Sequence, residues 1–150
     1  MIADRQFNLD DYDNILVVGA GKAGAPMAKA VEDFLGNRIS GGVIVVKDGH
    51  SLALKKVKVC EASHSVPDER GVQGTEEILS LLEKAGERDL VICLISGGCS
   101  ALLIAPVEEI SLEDKQNATK LLLACGATIH EINTVRKHLS RAKGGRLAQM

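Results

Sequence analysis

Val17-Val18-Gly19-Ala20-Gly21-Lys22-Ala23-Gly24 joins the end of an apolar run to the start of a helical one. Its reading decides the fold. Upstream, Ile15 to Val18 is continuous, aliphatic and mostly β-branched, the pattern of a strand buried on both faces of a parallel sheet. Downstream, Ala23, Met27, Ala30, Val31 and Phe34 recur at helical spacing, with Lys29, Glu32 and Asp33 between them and Gly36-Asn37 as the stop. Farther along, Val43 to Val46, Val57 to Glu61 and Leu90 to Ile95 read as further strands. Between them, Asp68 is a candidate N-cap, and Val72, Ile78, Leu79, Leu82 and Ala85 share a helix face. Ser111 with Asp114 resembles a capping box for a helix through Leu121 to Ala124, ending at Gly126. Ile129, Ile132, Val135 and Leu139 predict a last helix, running into Gly144 and Gly145. Strands alternating with helices predict an α/β, Rossmann-like three-layer fold with a mostly parallel sheet and ligands at the carboxyl ends of its strands.

The 150 residues, 45% of them apolar, suffice for one domain with a hydrophobic core. A net charge of -2 with mixed signs gives no field that would select nucleic acid or an anionic membrane. Cys60, Cys93, Cys99 and Cys125 show no CxxC spacing and read as reduced thiols. Met1 to Asp13 carries acids rather than a basic end and an apolar run, unlike a secretory signal. Val91 to Ala105, interrupted by Gly97 and Gly98, is too short to span a bilayer. The expectation is a cytoplasmic protein that binds a small molecule, with no membrane and no nucleic-acid partner; an oligomer is left open.

Gly19, Gly21 and Gly24 satisfy G-x-G-x-x-G between a strand and a helix, the setting of a dinucleotide site. Such glycines permit a tight turn and a close approach of an anion to helix-start amides. The acid that would bind a ribose hydroxyl, Asp48, lies somewhat too far along and follows Lys47. Lys22 is a residue that a dinucleotide site does not need: an ammonium at a helix start opposes the helix dipole unless an anion sits beside it. The alternative is a solvated surface lysine.

The second glycine turn is Ser96-Gly97-Gly98-Cys99-Ser100. Two hydroxyl residues flanking a glycine pair at a strand end can converge on one oxyanion, although no Walker lysine is present. A turn serving packing alone is the competing reading. From Asn133 onward, Arg136, Lys137, His138, Arg141, Lys143 and Arg146 follow without an acid. With no aromatic residue for base stacking, an anion site facing a cleft is preferred over a nucleic-acid tail or a solvated face. His64, in a loop after the third strand, can act as acid, base or donor, or cap a turn.

Four blocks resemble the N-terminal domain of the glycerate 2-kinase family, the group of bacterial and archaeal glycerate kinases related to hydroxypyruvate reductase operons. They are Val17 to Ala23, Ser63 to Glu69, Leu94 to Leu103, and Ile129 to Ser140 with Lys143 to Ala148. The resemblance implies transfer of the ATP γ-phosphoryl group to the 2-hydroxyl of glycerate, with Mg2+ or another divalent ion, in a cleft between two α/β domains. It implies that Lys22 and Arg136 are catalytic and that Gly19 and Gly21 bind the nucleotide. Ser96, Gly97, Gly98, Cys99 and Ser100 would cradle phosphate. His64, Asp68, Asn133, Lys137, Lys143 and Arg146 would face substrate or phosphate; metal ligands are unknown. The chain departs from the family pattern at Gly24 (usually alanine), at Ser63 and Ser65 (usually Gly-His-Pro with His64) and at Cys99 (usually glycine). The chain stops just after Lys143-Gly144-Gly145-Arg146, so residues 1–150 read as an N-terminal α/β domain, incomplete relative to the family, with the second domain absent. Inactivity of this fragment alone is expected; the alternatives are an NAD(P)-dependent oxidoreductase domain using the G-x-G-x-x-G turn and a non-catalytic module that binds phosphate ligands.

Overall fold

β1 (Asn14–Ala20) is buried at every position after Asn14, as a strand must be with a neighbour on each edge and a layer over each face. The computed structural model describes residues 6–64 and 66–150. It places β1 between β2 (Gly41–Lys47) and β4 (Asp89–Ile95), with β3 (Val57–Ala62) outside β2. All three pairings are parallel. The order β3-β2-β1-β4 reverses direction at β1. A topological switch point therefore lies beyond the carboxyl ends of β1 and β4, where open α/β sheets bind ligands.

Alternate residues of each strand face opposite layers. Val18, Val43 and Val45 pack with Ile78, Leu79 and Leu82 of α2 (Glu69–Leu82). Val17, Ile44 and Val46 pack with Ala25 and Ala28 of α1 (Gly24–Leu35). The three-layer architecture expected from the alternation is present, and the sheet is parallel throughout.

The buried face of α1 matches the expected one in part: Met27 and Val31 pack against the core, but smaller residues lie deepest. Gly24, Ala25, Ala28 and Glu32 are buried, whereas Phe34 is 85% exposed. Small residues let the helix lie close to the sheet, which leaves no room there for an aromatic ring. Glu32 is tolerated because its carboxylate accepts hydrogen bonds from the amides of Lys55, Lys56 and Val57 at 2.7–3.1 Å. Burial opposes its ionisation, but those three amides and Lys29 outweigh burial and hold the carboxyl below its usual range.

After β4 come α3 (Cys99–Leu102), α4 (Leu112–Ala124) and α5 (Ile129–His138). The Ser111–Asp114 capping box starts α4 as expected. A second box, Thr128 with Glu131, starts α5. Within these two helices only Lys115 and Ile132 are buried. The α3 region is tied to α2 through Thr75, whose Oγ1 donates to the Gly71 carbonyl at 2.7 Å and accepts from the Ile104 amide at 2.8 Å.

Candidate anion-binding cleft

The two glycine turns pack against each other at the switch point. A Cβ on Gly21 would lie 2.1 Å from Ser96 Oγ, and one on Gly19 would lie 2.1 Å from the Leu94 carbonyl oxygen. These glycines let β4 and its turn lie directly against β1. The Lys22 amide donates to the Gly97 carbonyl at 2.9 Å, the Ala23 amide to Ser96 Oγ at 3.0 Å and the Gly24 amide to the Gly21 carbonyl at 3.0 Å. The amides of Lys22, Ala23 and Gly24 are thus engaged inside the protein. Gly19 and Gly21 serve turn-to-turn packing in this chain, and Ser96 Oγ is an acceptor within that contact.

The dinucleotide alternative also loses its acid. Asp48 accepts two hydrogen bonds from the Arg70 guanidinium at 2.7 and 2.8 Å, a bidentate pair that occupies both carboxylate oxygens. Asp68 caps α2 as its position predicts, accepting from the Gly71 amide at 3.1 Å and from Arg70 Nε at 2.8 Å, so both of its oxygens have partners within the protein.

What the turns leave free lies one step farther along. Gly98 sits at φ +88 before α3, and a Cβ there would come within 2.9 Å of His64 Nε2 and 3.3 Å of Lys22 Cγ. The first and second turns and the loop after β3 therefore bring Lys22, His64 and Gly98 together. The amides of Gly97 and Gly98 donate to no described protein group, and Lys22 has no ion-pair partner among the described residues. Burial, and then the positive charges of Lys22 and Lys47 with His50 nearby, push the His64 pKa down, so its imidazole is neutral at pH 7. Cys99 is helical, and the positive φ falls on Gly98. A cysteine at position 99 therefore costs the turn no backbone strain. Its thiol pKa is pushed up by burial, which keeps it protonated. Of the Ser63-His64-Ser65 departure, Ser65 lies outside the described residues.

Ser100 leads from this group into two adjoining cavities. One, about 520 Å³, is lined by Cys99, Ser100, Asn133, Arg136, Lys137 and Lys143 among others. The other, about 330 Å³, shares Ser100, Arg136 and Lys143 and adds Lys115. Lys143 is placed by contacts between its own segment and the strand-like residues after α3. The Arg141 amide donates to the Ala105 carbonyl at 2.9 Å, Arg141 Nε to the Pro106 carbonyl at 3.0 Å, and Arg141 pairs with Glu76. Lys143 Nζ donates to the Leu103 carbonyl, and burial lowers its pKa.

Arg146 departs from expectation. Its guanidinium donates to the carbonyls of Lys137 at 3.0 Å, His138 at 3.5 Å and Ser140, and it lines neither cavity. It closes the carboxyl end of α5, where a cation is favoured. Lys115, in contrast, enters the cleft without having been anticipated. It stands on a helix whose apolar Leu121 and Leu123 are exposed, so helical periodicity gave no sign that a lysine would be the buried residue. No group of three or more His, Cys, Asp or Glu among the described residues is placed to hold a metal ion.

An open parallel α/β sheet whose strand order reverses at β1, with Lys22 and His64 meeting Gly98 at that switch point, defines a domain of the doubly wound α/β class. The chain belongs to the family described as Domain of unknown function (DUF4147), which matches residues 2–150. It is 53% identical over 136 residues to a glycerate 2-kinase of Pyrococcus horikoshii, a match covering 91% of this chain and 30% of that protein. It is 47% identical over 140 residues to a D-glycerate 2-kinase of Thermotoga maritima, covering 93% of this chain and 34% of the relative. The crystal structure of a Pyrococcus horikoshii protein superposes with a TM-score of 0.91 at 50% identity, over 97% of this chain and 32% of that one. That of the Thermotoga maritima glycerate kinase does so with a TM-score of 0.88 at 46% identity, over 93% and 34%. The chain thus spans about a third of the length of these relatives. No described helix is long and apolar enough to cross a membrane.

Proposed function

We propose that this chain supplies one wall of the cleft of a cytoplasmic, ATP-dependent glycerate 2-kinase, and that it is inactive without the rest of that cleft. The observation that carries the reading is the meeting of Lys22 and His64 on Gly98, beside two unengaged amides, at the switch point. The names of the relatives favour glycerate as acceptor.

ATP supplies the transferred γ-phosphoryl group when bound. Phosphoryl transfer asks the protein chiefly for positioning and for cationic and amide donors on phosphate oxygens. Lys22 and the Gly97 and Gly98 amides provide them. Neutral His64 accepts the proton of the 2-hydroxyl as its oxygen bonds to phosphorus and ADP leaves. Arg136 and Lys137, in the larger cavity with Asn133, offset the remaining negative charge. The family reading also implies a divalent ion, for which the described residues present no ligand set.

In the intact protein, Lys22→Ala lowers glycerate-dependent ADP formation by about 10²–10³-fold, without unfolding, because Lys22 is exposed. Activity falls as pH drops through the lowered pKa of His64, and His64→Asn removes that acidic limb along with most of the rate. Undiminished turnover in Lys22→Ala, or glycerate-dependent ADP formation by residues 1–150 alone, overturns the reading.

A further inference from the structure

Lys115 has no part in the chemistry above, yet it is the most unusual side chain of the cleft. It is 7% exposed, and its Nζ is fully buried with no hydrogen-bond partner among the described residues. A buried ammonium without a partner is costly, and natural proteins seldom keep one that nothing satisfies. Burial, followed by the nearby positive charges of Lys143 and Arg136, pushes its pKa down to about 8. It therefore still carries its proton at neutral pH.

The 330 Å³ cavity beside it has Lys115, Lys120, Arg136 and Lys143 among its lining residues and no carboxylate. The rest of the wall is chiefly apolar, with Val66, Pro67, Ala101, Ile104, Leu112 and Leu123. Its wall between α4 and the loop before α2 is held by Gln116 Nε2, which donates to the Pro67 carbonyl at 2.8 Å. The volume lies at the small end of ligand pockets. An ion coated with oxygen on all sides would press several of them against hydrocarbon, at a desolvation cost. An organic acid confines its charge to one end, and its carbons, bearing only neutral hydroxyls in an acid such as glycerate, meet the apolar wall at a lower desolvation cost than charged oxygens.

We propose that this cavity seats a small organic acid, its carboxylate on Lys115, Arg136 and Lys143 and its carbon skeleton against the apolar wall. Identifying the acid as glycerate rests on the kinase reading; the seat itself rests on the orphaned ammonium and the cavity. Ser100, Arg136 and Lys143 line both cavities, so an acid held here lies next to the space assigned to phosphate.

Calorimetric titration of the chain with D-glycerate and, separately, with inorganic phosphate tests this. D-glycerate binds, Lys115→Met weakens it by at least about tenfold, and the remote charge control Lys84→Met leaves it unchanged. Because Lys115→Met removes an unpaired buried charge, the variant remains folded, and urea melting verifies this. NMR of the lysine side chains shows the Lys115 pKa rising from about 8 when D-glycerate binds. No binding of D-glycerate, equal affinity in Lys115→Met, or Lys115-dependent binding of phosphate that D-glycerate fails to displace each overturns the proposal. Turnover is not needed for the readout. Lys115-dependent binding of D-glycerate with no phosphoryl transfer in the intact protein sinks the kinase reading alone. Transfer with an unchanged KM for glycerate in Lys115→Met sinks this proposal alone.

Discussion

Glu32 and Lys115 are both buried charges, and their surroundings give them opposite effects on stability. Glu32 receives three backbone amides at the start of β3. Replacing it by alanine orphans those donors and costs about 1–3 kcal/mol, read as a lower urea midpoint. Its folded pKa lies below the unfolded one, so its stabilisation is complete above the ordinary carboxylate range and is lost as pH falls through the folded value. Glu32→Gln flattens that acid slope. Lys115 has the reverse sign: between about 8 and its ordinary value the unfolded chain holds a proton that the folded chain has shed. Stability therefore rises with pH across that window. Lys115→Met stabilises the ligand-free protein at pH 7 by on the order of 2–3 kcal/mol, and the gain disappears once the pH exceeds the window. Neither residue stands out locally, since a glutamate among helix acids and a lysine in a polar helix look solvated until the chain packs.

At the scale of elements, caps were legible and faces less so. Asp68 and the Ser111–Asp114 box were readable because capping is a matter between residues three apart. Of the apolar positions on α1, Met27 and Val31 reach the core as their spacing predicts, but closeness to the sheet, set by tertiary packing, puts Gly24, Ala25 and Ala28 deepest and leaves Phe34 exposed. Arg146 shows the same limit in the site. Its position after the basic helix suggested phosphate, but the fold turns it back on the carbonyls that end α5. Arg146→Ala is expected to cost about 1 kcal/mol in thermal or urea unfolding while leaving D-glycerate affinity unchanged. A loss of affinity comparable to that of Lys115→Met would return Arg146 to the binding surface.

Across the whole molecule, stability is unevenly distributed. β1 and β2 carry the fully buried Val17, Val18, Ile44, Val45 and Val46, whereas β4 is the sheet's outer strand opposite β3 and its Ile95 is 51% exposed. α4 and α5 contribute one buried residue each. Hydrogen exchange should therefore be slowest in β1 and β2, faster in β4, and fastest among these in α4 and α5. D-glycerate, seated on Lys115 and Arg136, should protect α4 and α5 selectively; protection confined to β1 would contradict that seat. The amino-acid sequence by itself determined the parallel α/β order, both glycine turns and the cationic character of the last helix, because apolar runs, turn residues and charge are local properties. Only the tertiary structure decided how the turns were used. The first packs Gly19 and Gly21 against Leu94 and Ser96 and ties the Lys22 amide to Gly97. Lys22 and His64 meet on Gly98 because packing carried residues far apart in the chain to one end of the sheet, and Lys115 is left buried without a partner among the described residues for the same reason.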